Sequence, residues 1–210
     1  MSDTGTFRPF IWTPSQGMQQ LSGITAGQAR AINSAGQVTG YIGDDHLGGP
    51  FTAYRWTAPG SVQPLGVLAG FQWSFGEGIN DTGNVAGWCR RSGGPDAAFL
   101  WTQAGGLMNL GSLGGGDADA RGLNNFNHVV GDSAGRAFLW RPGLGMIDLN
   151  TLLPPESGWV LQYAVGINDA EQIVGFGILN GVDHTWMMTI PAPGTGVLLL
   201  AALFRRRRPQ

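Results

Sequence analysis

One phrase recurs four times along this chain. It reads Ile32-Asn33-Ser34-Ala35-Gly36-Gln37-Val38-Thr39-Gly40, then Ile79-Asn80-Asp81-Thr82-Gly83-Asn84-Val85-Ala86-Gly87. It returns as Leu123-Asn124-Asn125-Phe126-Asn127-His128-Val129-Val130-Gly131 and as Ile167-Asn168-Asp169-Ala170-Glu171-Gln172-Ile173-Val174-Gly175. The asparagines are 47, 44 and 44 residues apart, and each stands seven residues before its closing glycine. A period of this size belongs to solenoids, propellers and arrays, in which one repeat cannot bury its apolar face alone. The repeat therefore constrains the fold more than any single residue does.

A second block alternates with the first. It is an aromatic, a spacer and Trp: Phe10-Ile11-Trp12, Tyr54-Arg55-Trp56, Phe99-Leu100-Trp101 and Phe138-Leu139-Trp140, with His184-Thr185-Trp186 as a degenerate fifth copy. In the first four, a Leu follows the Trp by nine residues (Leu21, Leu65, Leu110, Leu149), with Met18, Val62, Leu107 or Met146 three before it. The distance from the closing Gly to the next Trp varies from 9 to 16, as in a surface loop. Phe99 and Trp101, two apart, share one face of a strand. Asn-x-x-Gly suits a type I turn, which makes Ile32 to Ile42 a hairpin. The Pro- and Gly-rich stretches Thr13 to Gly17, Thr57 to Ser61, Thr102 to Gly106 and Arg141 to Gly145 read as further hairpin turns. Four short strands per repeat match one propeller blade. The expected fold is all-β, a β-propeller-like array of four-stranded repeats with about four to five blades over residues 1–190, plus a short C-terminal apolar helix. An irregular β-sandwich or a solenoid of hairpins is the alternative. The recurrent Trp reads as packing between blades rather than as a sugar-binding ladder, because every blade must bury the same face.

The chain reads as beginning inside a repeat: the second half of a blade, three whole repeats, and a last repeat that fades after Trp186. No signal peptide is legible in Met1 to Thr6. If the ends pair, a ring of about four blades is expected; otherwise an open arc.

Charge narrows the function. Only 12% of residues are charged, and net charge is −2. Four of the 12 basic residues are Arg205 to Arg208, so the remainder carries 8 basic against 14 acidic groups. That excludes a general basic surface for nucleic acid. The single Cys89 excludes an internal disulfide, and no Cys-His cluster offers a zinc site.

After Ile190 the composition changes. Pro191-Ala192-Pro193-Gly194-Thr195 leads into the apolar run Gly196 to Phe204 and then Arg205, Arg206, Arg207 and Arg208. The run is far shorter than the ~20 residues that span a bilayer as a helix. Pro-x-Pro before it is a helix stop and an extended linker. This tail resembles the PEP-CTERM sorting signal of bacterial surface proteins, with Pro191-Ala192-Pro193 standing where Pro-Glu-Pro is usual. The repeats resemble the HAF family of extracellular repeats, through Ala97-Ala98-Phe99-Leu100-Trp101, Arg136-Ala137-Phe138-Leu139-Trp140 and the Ile-Asn-x-x-Gly-x-Val-x-Gly segments. Together the two resemblances cover nearly the whole chain. They imply a secreted or cell-surface protein with no established enzymatic activity. They also imply an exosortase-type sorting protease as partner and transient inner-membrane anchoring through residues 191–210. The sorting residues would be Pro191, Ala192, Pro193, Gly194 and the four terminal arginines. Val197 to Phe204 is expected to be helical and outside the folded body.

Little else suggests chemistry. His128 occupies a position held elsewhere by Gln37, Asn84 and Gln172, so it reads as a strand residue. Asp44, Asp45 and His46 read as a solvated loop. Gly114 to Asp119 lacks the spacing and Glu of an EF-hand loop and reads as a turn. No Gly-x-Ser-x-Gly, P-loop or dinucleotide fingerprint is present. Glu77, Glu156 and Glu171 are scattered. We therefore expect no catalytic, metal or cofactor residues, and a non-enzymatic protein that binds or builds at the cell surface or exopolysaccharide matrix. Extracellular polysaccharide or another surface protein is the expected ligand class. The alternative is a propeller hydrolase or lyase on extracellular polysaccharide, and carboxylates of different repeats converging in one pocket would favour it.

Overall fold

The structure is a computed structural model that describes residues 7–43 and 49–190. The sorting residues 191–210, the expected terminal helix and the loop with His46 lie outside the described residues. Within them the chain is all-β. A two-stranded sheet comes first, β1 (Phe10–Thr13) and β2 (Gly17–Gln20). Three four-stranded antiparallel sheets follow. The first holds β3 (Gly27–Ile32), β4 (Val38–Ile42), β5 (Thr52–Thr57) and β6 (Ser61–Gly66). The second holds β7 (Trp73–Ile79), β8 (Val85–Arg90), β9 (Ala97–Thr102) and β10 (Gly106–Asn109). The third holds β11 (Ala118–Leu123), β12 (Val129–Ser133), β13 (Arg136–Arg141) and β14 (Gly145–Asp148), then a 3₁₀ turn at Leu149–Leu152. The last sheet has three strands, β15 (Trp159–Ile167), β16 (Gln172–Leu179) and β17 (Val182–Thr189). Half a blade, three full blades and an incomplete one is the organisation the repeats predict.

The repeated phrase is one hairpin between the first two strands of each sheet. In every copy the first strand carries a β-bulge, opposite Gly40, Gly87, Gly131 and Gly175. The bulge throws a carbonyl toward that glycine. A Cβ on Gly87 would meet Phe75 O at 2.0 Å, and one on Gly131 would meet Asp119 O at 1.9 Å. No side chain fits there, so the phrase must close on glycine. The aromatic of the third strand lies directly across: Tyr54 opposes Gly40, Phe99 opposes Gly87 and Phe138 opposes Gly131. At Gly87 the ring also takes the space a side chain would need: a Cβ there would meet Phe99 Cζ at 2.8 Å. All three rings are fully buried.

This register corrects the reading of the last copy. Trp186 opposes Gly175 and Met188 opposes Ile173. Trp186 thus takes the place of Phe138, and Met188 the place of Trp140. The degenerate copy is Trp186-Met187-Met188, two residues on from His184-Thr185-Trp186. The Trp was a misleading anchor because either aromatic position can hold an indole.

Neighbouring sheets pack face to face through the first strand of the later sheet, with β7 on the first full sheet, β11 on the second and β15 on the third. The core is consequently divided into four clusters, each between or within adjacent sheets. The two ends do not share a sheet: β1 and β2 pair with each other, and β15 to β17 form their own sheet. Among the described residues the array is an open one at the level of strand pairing. Its ends carry exposed apolar residues where inner repeats bury theirs. Val174 is 43% exposed, whereas its equivalents Thr39, Ala86 and Val130 are at 0%.

Trp56, Trp101 and Trp140 are 4, 5 and 7% exposed at equivalent places, as packing between blades requires. Trp12, in the half blade, is 62% exposed. Trp101→Ala should cost about 3–5 kcal/mol. Trp12→Ala should cost well under about 1 kcal/mol, because a surface side chain of this kind has little to lose. Chemical denaturation of the two variants measures the contrast, and similar losses at both sites would refute the packing assignment.

Candidate functional site

The four hairpin turns meet in one cleft of about 300 Å³. Ile32, Ile79, Leu123 and Ile167 give it an apolar wall, and the Asn of each repeat with the residue after it gives a polar one. Within each turn the Asn side chain organises the backbone. Asn80 Oδ1 accepts from the Asn84 amide at 3.0 Å, and Asn124 Oδ1 accepts from the Phe126 and His128 amides at 3.1 and 3.0 Å. These are Asx turns, local bonds that Asn makes better than most residues.

The other half of each amide reaches across to the next repeat. Asn33 Nδ2 donates to Asn80 O at 2.8 Å, Asn80 Nδ2 to Asn124 O at 3.0 Å, and Asn124 Nδ2 to Asn168 O at 3.2 Å. A parallel relay runs one residue later. The amides of Ser34, Asp81 and Asn125 donate to Asp81, Asn125 and Asp169 Oδ1, each at 2.9 Å. Asn125 Nδ2 also bridges Asp81 and Asp169 at 3.2 and 2.8 Å. Hydrogen bonds from the Ser34 hydroxyl and amide, then from Asn125, hold the Asp81 carboxyl below the usual carboxylate range. Two carboxylates of different repeats therefore do line one cleft, but their oxygens are occupied by neighbouring repeats.

A third contact at each interface uses the left-handed residue of the later turn: Gly83 (φ 79), Asn127 (φ 61) and Glu171 (φ 57). Arg55 Nη1 donates to Gly83 O at 3.3 Å. Asn80 and Asn84 Nδ2 both donate to Asn127 Oδ1 at 2.9 Å. Glu171 is held by Arg141 and lies 2.6 Å from His128 Nδ1. His128 does donate its amide as Gln37 and Gln172 do, but it precedes its strand and its ring joins two blades.

A second polar group lies where the bulges are. Arg121, the extra residue of its bulge, is 2.6 Å from Asp132 and 3.7 Å from Asp119, which face each other across β11 and β12. The Glu77 charge of the preceding repeat also acts on Arg121. Glu77 itself lies 4.0 Å from Arg30 and accepts from Trp88 Nε1 at 3.4 Å. Burial, then the Asp132 charge, pushes the Asp119 carboxyl up to about 7 against the pull of Arg121. Asp119 Oδ1 is buried without a hydrogen-bond partner. Reading 114–119 as a turn missed this residue, which is the second of β11. Its pairing with Asp132 is set by the register of the hairpin, 13 residues away in sequence, which no local motif reports. Burial also pushes the Cys89 thiol up to about 11, which leaves it a packing residue rather than a nucleophile. Among the described residues, no group of three or more His, Cys, Asp or Glu could hold a metal, and no helix is long and apolar enough to cross a membrane.

Two expectations follow. Asn80 is 4% exposed and bonded on both sides, so Asn80→Ala should cost on the order of 3 kcal/mol by leaving buried groups unpaired. Asn168 is exposed and its Nδ2 reaches only Gln172 in its own turn, so Asn168→Ala should cost about 1 kcal/mol. Equal costs measured by urea unfolding would sink the relay as a stabilising device. The second expectation concerns pH. A carboxyl whose folded pKa is raised holds its proton longer when folded, so stability falls as pH climbs from about 4 to about 7. Asp119→Asn should remove that slope, adding on the order of 2 kcal/mol at pH 8 and nothing near pH 3. A pH series of melting curves checks it.

No family model matches the sequence, and no curated protein matches it. A solved structure does: putative TolB from Agrobacterium tumefaciens, at 13% identity and a TM-score of 0.56, covering 86% of this chain and 69% of that one. At this identity the likeness speaks to the fold alone, and the fold it supports is a β-propeller-like array of repeated antiparallel sheets.

Proposed function

We propose that this chain is a non-enzymatic, secreted or surface-associated bacterial repeat protein, sorted by its C-terminal tail, that binds or builds at the cell surface or exopolysaccharide matrix. The supporting observation is how the polar groups of the central cleft are used. The amides of Asn33, Asn80 and Asn124, and the side chains of Asp81, Asn125 and Asp169 beside the turns, are committed to neighbouring repeats. Such a cleft fixes a rigid scaffold and offers no unengaged acid–base pair. Repeat arrays of this sort serve as extended binding surfaces. The sorting role rests on Pro191-Ala192-Pro193-Gly194, the apolar run and Arg205 to Arg208. The run would sit transiently in the membrane as a helix while an exosortase-type protease acts near the prolines. About nine apolar residues anchor poorly, so the segment suits removal rather than residence.

The second reading is a hydrolase or lyase acting on extracellular polysaccharide. One observation favours it: Asp119 and Asp132 of neighbouring strands face each other around Arg121, and burial raises both carboxyls, the kind of environment in which a carboxylic acid can serve acid–base chemistry. Purified protein incubated with exopolysaccharide should co-sediment with it and release no new reducing ends. Release by the native chain and not by Asp119→Asn would establish the enzyme instead. For sorting, the protein should be expressed behind a secretion signal in a host carrying the sorting protease. Mass spectrometry of the surface-released form should show loss of the arginine cluster; mature protein still ending at Gln210 would reject the sorting role.

A further inference from the structure

The central cleft carries more negative charge than its architecture needs. Asp81 and Asp169 line it, each one residue after its repeat's Asn, and both are exposed. Each accepts an amide of the preceding repeat, from Ser34 and from Asn125, at 2.9 Å. Asn125, at the same place in the third repeat, accepts the Asp81 amide at 2.9 Å with a neutral side chain. The joint therefore does not require a charge. Elsewhere the chain compensates its carboxylates: Glu77, Asp96, Asp119, Asp132, Asp148 and Glu171 each have an arginine nitrogen within 4.0 Å. Asp81 and Asp169 have no such cation among the described residues, and no arginine or histidine lines the cleft.

The two charges converge. Asn125 Nδ2 bonds Asp81 Oδ2 at 3.2 Å and Asp169 Oδ2 at 2.8 Å, so one nitrogen reaches both carboxylates. A second nitrogen donor, entering from the cleft, can bridge them likewise. A carboxylate offers about four acceptor positions, and Asp169 uses two of them in the relay. The wall beside them is aliphatic, Ile32, Ile79, Leu123 and Ile167, with no aromatic ring in the lining. That combination sorts cations. A quaternary ammonium seeks an aromatic face, which the lining lacks. A guanidinium suits a single carboxylate taken bidentately. A lysine lays its methylene stem along apolar surface and ends in a compact ammonium with three donors. The cleft of about 300 Å³ has room for such a side chain. All 12 basic residues of the chain are arginines, so neither it nor a second copy supplies a lysine. We propose that the cleft between the Asn turns is a docking site for a lysine side chain of another surface protein, with the stem along the aliphatic wall and the ammonium bridging Asp81 and Asp169. The inference names a partner for the binding role proposed above and rests on that role.

The test titrates the intact, isotope-labelled 210-residue chain with N-acetyl-lysine N-methylamide and follows its amide resonances. Shifts should concentrate at Ser34, Asp81 and Asn125, whose amides border the carboxylates. The norleucine derivative keeps the stem and lacks the ammonium. It should bind about tenfold more weakly, because two exposed ion pairs together amount to little more than that. Asp81→Asn with Asp169→Asn should weaken lysine binding by about the same factor and leave the norleucine contact unchanged. Both asparagines copy Asn125, so the relay persists, and the dispersion of the variant's spectrum verifies its fold. If that variant unfolds, the norleucine comparison on the unaltered chain decides alone. Equal binding of the lysine and norleucine derivatives, a folded variant with unchanged lysine affinity, or shifts only outside the cleft overturns the proposal. So does a glucosamine trisaccharide that shifts these resonances where the lysine derivative does not, which assigns the cleft to polysaccharide. The co-sedimentation assay reads the binding role separately: protein that pellets with exopolysaccharide but ignores the lysine derivative refutes only this site.

Discussion

The side-chain amide of one asparagine per repeat carries this architecture. Its oxygen closes its own turn and its nitrogen binds the next repeat's carbonyl. A single residue thus ties the local conformation to the packing of sheets. The two roles are linked: the turn must be closed for the amide to point outward, and the neighbour must be present for the nitrogen to be satisfied. Asn80 and Asn124 are nearly sealed from water, where an unpaired amide would be expensive. No other side chain has a strong acceptor and two donors on so short a stem, which is why aspartate does not replace it.

The remaining letters of the phrase follow from the bulge. The kink in the first strand directs a carbonyl at the second, and only glycine leaves room. The vacancy then receives an aromatic ring from the third strand, and the apolar residue two before the glycine backs the Trp. Turn, bulge, glycine and aromatic form one steric unit spread over about twenty residues or more of chain. It tolerates length changes only in the connection between the second and third strands, where the longest excursion, from Ile42 to Thr52, occurs.

Much of this was legible because repetition supplies its own alignment. The hairpin turns after each Trp, the half blade at the start and the packing role of Trp56, Trp101 and Trp140 are readable from spacing. What was not readable was anything set by pairing between strands. Trp186 was aligned by its identity, whereas its register places it with Phe138. Asp119 and Asp132 are 13 residues apart in sequence and adjacent in the sheet, so a search of local motifs passed over them. The contacts between blades were hidden for the same reason, since the partners of Asn127 and Glu171 lie a whole repeat upstream or in the preceding strand pair.

Those left-handed turn positions have a further consequence. Gly83 offers a carbonyl to Arg55, Asn127 a side-chain oxygen to two amides, and Glu171 a carboxylate to a cation. Three interfaces built on one backbone plan are thereby chemically private. Each blade recognises its predecessor and would mismatch any other. Such an array can grow by duplication, but afterwards its members drift into a fixed order. Recombination that shuffled them would preserve every strand and still place a lone carboxylate beside an amide pair. The repeats look interchangeable as sequence, yet in the folded molecule they behave as parts with serial numbers.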